Sequence, residues 1–160
     1  MQSWHVEAAS ITKEPLAAEE RDQLIRTLPG LAAIADDEKT RCMTITFRVR
    51  APDWDAAVTE ASSVLTDAAR EVLGDVLPFL GVTVGKDKES LAGAAPFLVG
   101  YVEIAAMFGF SRQRAREIAE THDIFPAPLA RLATGPVFTL AGVQEFMAKW
   151  ERRPGRPRKI

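Results

Sequence analysis

Cysteine is nearly absent from this chain of 160 residues, which contains Cys42 alone. A single cysteine permits no disulfide within the chain and no cysteine-rich metal cluster, and such usage is typical of a reducing compartment. Long hydrophobic runs are also missing, because stretches such as LPFLGVTVG are much shorter than the roughly 20 apolar residues of a membrane-spanning helix. The first residues, MQSWHVEAAS, lack the basic-then-apolar pattern of a signal peptide. We therefore expect a cytoplasmic protein with no membrane partner.

Motifs that carry enzyme chemistry are missing as well. His5 and His122 have no Cys, His or carboxylate at the spacing of metal ligands, and ADDEK at 35–39 is typical of a solvated turn. The stretch GVTVGKDKES lacks the GKS or GKT of a phosphate-binding loop, and no Ser, Cys or Lys stands in a nucleophile motif. The sequence predicts no catalytic residue, no metal site and no cofactor, and enzymatic activity is the least supported class of function.

Charge is distributed unevenly along the chain, although the formal net charge is only −2. Residues 1–110 carry 10 Lys and Arg against 17 Asp and Glu, whereas residues 111–160 carry 10 against 5. With 47% hydrophobic and 26% charged residues, the composition is that of a globular protein rather than a disordered one. The basic end indicates an anionic partner, the alternative being a basic solvated surface with no partner.

The first 85 residues show patterns of strands and helices. Apolar residues alternate with polar ones in the strands and recur every three or four positions in the helices. The predicted elements are strands at 3–10, 31–35, 41–51 and 76–85, and helices at 14–30 and 54–74. This β-α-β-β-α-β order is that of a ferredoxin-like sandwich, an antiparallel sheet with both helices on one face. The predicted fold class is therefore α+β, with a ferredoxin-like domain at 1–85.

Finer features follow from the same patterns. Pro15 is expected near the first turn of the first helix, and residues 36–40 are expected to form a polar turn. The apolar stripe of the second helix is predicted to be Trp54, Val58, Ala61, Leu65, Ala68 and Val72. In the strand at 41–51, the buried face is predicted to be Met43, Ile45, Phe47 and Val49.

The other face of that strand supports a separate class of function. Its residues are polar and solvated: Thr44, Thr46, Arg48 and Arg50. Sheets of this kind commonly dimerise through an exposed face or an edge strand, and the same face is suited to binding a small anion or a protein partner. We expect a homodimer formed through this domain, and the sequence identifies no small-molecule effector.

The basic part of the chain begins after a change in composition. Residues 86–96, KDKESLAGAAP, are small and polar and are predicted to be a linker. A second domain is therefore expected at 97–152, followed by a basic tail at 153–160.

The stretch YVEIAAMFGFSRQRAREIAE, at 101–120, predicts two short helices joined by a tight turn. Gly109 suits the backbone conformation of the turn, and Ser111 is a natural N-cap for the second helix. The inward residues are predicted to be Ile104, Ala105 and Phe108 in the first helix, Phe110 in the turn, and Ala115 and Ile118 in the second helix. This is the layout of a helix-turn-helix, with an ordinary helical hairpin as the alternative.

The outward residues of the second helix indicate what it could bind. They are Arg112, Gln113, Arg116 and Glu117, in the half of the helix that would enter a major groove, and Arg114 is also among the predicted DNA contacts. Arginine can pair with a guanine edge or a phosphate, glutamine can pair with an adenine edge, and a helix N-terminus favours phosphate oxygens. The alternative is that these side chains only solvate a surface helix.

Downstream, PLARL and PVF predict two short extended pieces joined by ATG, and Thr139 can cap a closing helix. The apolar stripe of that helix is Leu140, Val143, Phe146, Met147 and Trp150. The stretches LVGYVEIAAMFGFSRQRAREIAE and FPAPLARLATGPVFTLAGVQEFMAKW resemble the winged helix-turn-helix domains of the MerR and excisionase type, over about residues 98–152.

The resemblance implies a helix in the major groove and a wing hairpin over the adjacent backbone or minor groove. Carried over by position, the helix contacts are Ser111, Arg112, Gln113 and Arg116, and the wing contacts are Arg131 and Thr134. In MerR regulators a coiled coil for dimerisation follows this domain, whereas here the chain ends soon after Trp150. Any dimer is therefore expected to form through the N-terminal domain.

The tail ERRPGRPRKI is a further candidate for DNA contact. Its PGRPRK stretch resembles an AT-hook, whose arginines lie along the minor groove, but Pro154 stands where the usual core has arginine. The alternatives are nonspecific phosphate binding and a merely solubilising tail. The predicted tail contacts are Arg153, Arg156, Arg158 and Lys159, with Arg152 adding charge.

The sequence as a whole predicts a sequence-specific double-stranded DNA-binding protein, a bacterial transcriptional regulator acting as a homodimer. One alternative is an excisionase-like accessory protein of recombination or replication from a mobile element. The other, from a different class, is a protein-interaction or ligand-sensing module centred on the N-terminal sheet.

Overall fold

A computed structural model of the chain describes residues 1–37, 39–92 and 96–150. This part is a mixed α+β structure with a four-stranded and a three-stranded antiparallel sheet. Its elements are β1 (Gln2–Ile11), α1 (Ala18–Thr27), β2 (Ala33–Asp37), β3 (Cys42–Ala51), α2 (Trp54–Leu73), β4 (Phe79–Gly85), α3 (Lys88–Ala92), β5 (Leu98–Val99), α4 (Tyr101–Phe108), α5 (Arg112–Thr121), β6 (Ala130–Leu132), β7 (Gly135–Thr139) and α6 (Leu140–Lys149). Within the described ranges, no helix is long and apolar enough to cross a membrane.

The four-stranded sheet has the order β2-β3-β1-β4, and each strand is antiparallel to its neighbours. Strands β1 and β3 pair along their whole length, from Gln2 opposite Ala51 to Ile11 opposite Cys42. Because successive side chains point to opposite faces, one face of the sheet is apolar, and α1 and α2 pack against it. The larger members of this core are Trp4, Val6, Leu24, Met43, Ile45, Phe47, Val49 and Leu65. The predicted buried face of β3 is confirmed.

Several boundaries in this part differ from the sequence-based predictions. Helix α1 starts at Ala18 rather than at residue 14, so Pro15 lies ahead of it. The Glu20 side chain accepts a hydrogen bond of 2.9 Å from the Ala17 N–H at this start. Strand β2 runs to Asp37, so Asp36 and Asp37 pair with β3 instead of forming a turn. The strand is extended by the register of the sheet, in which Asp36 pairs with Met43 and Asp37 with Cys42, and the Asp36 side chain forms an ion pair with Arg21 of α1.

The buried face of α2 also differs from the prediction. Trp54 is 53% exposed, and its indole N–H donates to the carbonyl of Val84 at 3.2 Å. The fully buried residues of the helix are Ala57, Ala61, Leu65, Ala68 and Ala69, while Val58 and Val72 are half-buried. Small alanines let the helix lie close to the sheet. The final strand, predicted from residue 76, starts only at Phe79, after Pro78.

The remaining elements form the second sheet and the helices around it. The strand order is β5-β7-β6, and α4, α5 and α6 contribute to a second apolar core. The segment 86–96, predicted to be a linker, contains the short helix α3. Aromatic rings dominate the core, with Phe146 in contact with Phe108, Phe125 and Trp150 at centroid distances of 6.1, 4.8 and 5.9 Å.

The two parts of the chain share this second core. Ala9, Ile11 and Cys42 lie on the sheet face turned away from α1 and α2, and they are buried against the C-terminal elements. Burial raises the pKa of the Cys42 thiol to about 11. The Gln144 amide also donates to the Thr40 hydroxyl at 3.5 Å. The C-terminal elements therefore cover one end of the sheet face that was predicted to be solvated. Helix α4 contacts β1 at this end, and α5 packs against α4.

Candidate nucleic-acid interface

Helix α4 packs against α5, the helix that carries most of the predicted contacts among the described residues. The Gly100 N–H donates to the Glu103 carboxylate at 2.8 Å, which caps the helix start. The buried residues of the helix are Ile104, Ala105, Met107 and Phe108. Ala105 is small, and helix α5 lies next to α4. The helix ends at Gly109, which has φ 69° and ψ 37°, and the Phe110 N–H donates to the Ala105 carbonyl at 2.9 Å.

Helix α5 starts where the sequence predicts. The Ser111 hydroxyl oxygen accepts a hydrogen bond of 3.2 Å from the Arg114 N–H, as an N-cap does. Ala115 and Ile118 are buried against α4 and α6, so the opposite face of the helix is turned to solvent. The exposed residues in its first half include Ser111, Arg112, Gln113, Arg114 and Arg116. The predicted inward and outward faces are confirmed.

Two of the exposed arginines are held by acidic neighbours on the same helix. Arg114 pairs with Glu117 at 2.8 Å and Arg116 with Glu120 at 2.7 Å. The hydrogen bond and the charge of Glu120 raise the pKa of Arg116, which is cationic at any physiological pH. Arg112, by contrast, makes no ion pair with any described residue. Its charge at the start of α5 is therefore available to a partner.

Strands β6 and β7 form the hairpin that the sequence predicts as a wing. Arg131 lies opposite Pro136 and Leu132 opposite Gly135, so residues 133 and 134 form the tip. Arg131 and Thr134 are both exposed. The Thr139 hydroxyl accepts a hydrogen bond of 3.2 Å from the Gly142 N–H and caps α6, as predicted.

A surface cleft joins the start of α5 to the tip of this hairpin. Arg112 and Thr134 line it together, with Tyr101 and Glu103 of α4 and Pro136 of the hairpin. Gln113, Arg114, Arg116 and Arg131 are exposed but do not line the cleft. Tyr101, the single tyrosine of the chain, was not among the predicted site residues. Its place directly after a capping glycine is a signal for the start of a helix, not for a binding role.

The predicted contacts of the basic tail, Arg153, Arg156, Arg158 and Lys159, lie outside the described residues, as does Glu38 of the acidic stretch at 35–39. Among the described residues, no group of three or more His, Cys, Asp or Glu side chains could hold a metal ion.

The exposed half of α5 and the hairpin tip present donors suited to a polyanion. Arg112 supplies a guanidinium group with five N–H donors, Gln113 supplies an amide, and Thr134 supplies a hydroxyl. Comparisons with protein-family models, curated proteins and solved structures found no match to this chain.

Proposed function

We propose that this chain is a sequence-specific double-stranded DNA-binding protein of the bacterial cytoplasm and acts as a transcriptional regulator. In this proposal α4 and α5 are a helix-turn-helix, β6 and β7 are its wing, and the sheet with α1 and α2 is a ferredoxin-like domain. The observation that carries it is the cleft shared by Arg112 and Thr134, which brings the start of α5 and the hairpin tip to one surface.

The residues of α5 are proposed to make different contacts with DNA, because their side chains and positions differ. Arg112 and Gln113 lie in the first turn, where side chains of a helix in the major groove reach base edges. Arginine pairs with guanine and glutamine with adenine, so these two residues are proposed to read bases. Arg114 and Arg116 bind phosphates and exchange their intrahelical carboxylate partners for DNA. Arg131 and Thr134 contact the backbone beside the groove.

We also propose that two copies act together through the N-terminal sheet. A single recognition helix contacts few base pairs, and regulators commonly use two half-sites related by the symmetry of a dimer. Edge strands of sheets pair readily with a second copy, and β2 is such an edge. Sedimentation velocity of the full chain tests this part, and a monomer at concentrations that saturate DNA would contradict it.

Fluorescence anisotropy of a labelled random-sequence duplex, at two salt concentrations, tests DNA binding. The full chain is compared with the triple variant Arg112→Ala, Gln113→Ala, Arg116→Ala. We expect the full chain to bind with a strong salt dependence, and the variant to lose most of its affinity because it lacks two cations and the base-reading amide.

The matched control is Gln23→Ala, Arg26→Ala, Arg70→Ala, which removes the same side chains from exposed positions of α1 and α2. This control should bind as the unchanged protein does. Equal binding by both triple variants would place the contact elsewhere, for example in the tail, and absence of binding by the full chain would overturn the proposal. Circular dichroism verifies that each variant is folded.

A further inference from the structure

A second cleft lies at one end of the four-stranded sheet, apart from the surface proposed for DNA. It is bounded by residues 29–31, which follow α1, and by the last part of β3. Ser3 and Glu60 are also among its lining residues.

The cleft exists because β2 is shorter than β3. The first pair between these strands is Ala33 with Thr46, so β3 continues beyond its neighbour. Residues 29–31 run beside this free stretch, and the Arg48 N–H donates to the Pro29 carbonyl at 3.5 Å. Gly30 has φ 72°, and a Cβ at this position would lie 3.1 Å from the Cβ of Arg48. Glycine thus lets the loop approach β3 closely and form one wall.

Two arginines, Arg48 and Arg50, line the cleft on the β3 side. Arg48 and Arg50 are two residues apart on the same face of β3, opposite His5 and Ser3 of β1. Their Cα atoms are therefore about 7 Å apart, a separation that two long side chains can close around one anion. Both are exposed, and neither makes an ion pair with any described residue.

An apolar side chain and an acidic side chain also border the cleft. Leu31, at the rim, is 85% exposed. Glu60 is the acidic residue among those lining the cleft and would repel an anion held there.

We propose that this cleft binds a small organic oxyanion, a carboxylate or a phosphate monoester that carries a compact apolar group. Arg48 and Arg50 hold the oxyanion through charge-assisted hydrogen bonds, and Leu31 covers the apolar group. Such a ligand would sit in the N-terminal part of the chain, and the site does not depend on DNA binding.

Isothermal titration calorimetry of the full chain with phenyl phosphate and with benzoate tests the site. Arg48→Gln with Arg50→Gln should weaken binding by about tenfold or more, because charge-assisted hydrogen bonds are lost. Glu60→Gln should strengthen it, since a like charge is removed. Leu31→Ala should weaken phenyl phosphate but leave inorganic phosphate unchanged.

The matched control is Arg26→Gln with Arg70→Gln, two exposed arginines outside the cleft, which should leave binding unchanged. Saturable binding of either probe that depends on Arg48 and Arg50 supports the site, and the tighter probe identifies the oxyanion. Absence of saturable binding, or an equal loss in the control, overturns it. Duplex binding by the same variants is expected to be unchanged, so this inference and the DNA-binding proposal fail separately.

Discussion

Gly109 is the residue at which the chain turns from α4 towards α5. Its φ of 69° lies in the left-handed region, where side chains with a Cβ are strained. A Cβ there would lie 3.4 Å from a guanidinium nitrogen of Arg41, the residue before β3, which is an ordinary contact with the end of a flexible side chain. The glycine is therefore required by the turn.

Gly109→Ala should lower the free energy of unfolding by about 1–2 kcal/mol, because alanine is strained in this conformation. Gly109→Asn should lower it less, since asparagine adopts left-handed φ more readily. Urea denaturation measures both. Gly74→Ala is the comparison variant: Gly74 has the same φ of 69° and no atom within 4 Å of an added Cβ, so backbone strain alone should lower its stability by a similar amount. Unchanged stability in Gly109→Ala would contradict this account of the turn.

Cys42 is a second residue whose environment has a measurable consequence. It is 2% exposed in the shared core, and burial raises its pKa to about 11. Because the thiolate is the reactive form, native protein at pH 8 should react with a disulfide reagent far more slowly than protein unfolded in urea. Release of the coloured thiol product measures both rates. Similar rates would show that the two parts separate readily in solution.

Helix α5 carries two acidic residues that would oppose the proposed DNA binding. Replacing Glu117 and Glu120 with glutamine frees Arg114 and Arg116 and removes two negative charges from the proposed interface. We expect tighter duplex binding, because the proposed interface loses two negative charges and the two arginines no longer give up a carboxylate partner when they bind phosphates.

Anisotropy titrations across a salt series measure this change. The matched control is Glu145→Gln, which breaks a pair of the same spacing with Lys149 on α6. A comparable gain in the control would attribute the effect to overall charge rather than to α5.

At the scale of elements, patterns that repeat within one segment were predictable from sequence. Alternation identified the buried face of β3, and helical spacing with local caps identified the faces and starts of α5 and α6. Boundaries that depend on distant residues were not. Strand β2 includes Asp36, which pairs with Met43 of β3 and forms an ion pair with Arg21 of α1. The exposed Trp54 donates its indole N–H to Val84 of β4, 30 residues away in sequence.

The candidate site was predictable to the same extent. The exposure of Arg112 and Gln113 follows from the period of the helix, and the hairpin that exposes Thr134 follows from its turn residues. That Arg112 and Thr134 share a cleft with Tyr101 could not be predicted, because the cleft joins segments that are distant in sequence.

At the scale of the whole molecule, the shared core predicts that both parts unfold together. Ile11 belongs to the N-terminal sheet but is buried among C-terminal residues, so Ile11→Ala should lower the free energy of unfolding by about 2–5 kcal/mol. Trp4 and Trp150 report on the two parts, since each lies in or against a different core. Two variants test this: both carry Trp54→Phe, and one keeps Trp4 while the other keeps Trp150 as its single tryptophan. Their urea unfolding curves should coincide.

The comparison variant is Leu24→Ala, which opens a cavity in the first core alone. If the chain is one cooperative unit, each of the two variants, Leu24→Ala and Ile11→Ala, shifts the Trp4 curve and the Trp150 curve by the same amount. Two separate midpoints, with Leu24→Ala moving only the Trp4 curve, would show independent domains.

The burial of Ala9 and Ile11 also bears on the spacing of the half-sites in the proposed DNA complex. Since strand β1 lies in the core beneath α4, the orientation of α5 is set by the sheet. Two copies joined through their sheets would hold their α5 helices at one separation and one relative rotation. Each base pair inserted between half-sites rotates them by about 34° about the duplex axis. If the proposed dimer binds DNA, the spacing between half-sites, as well as their base sequence, is therefore expected to determine which DNA it binds.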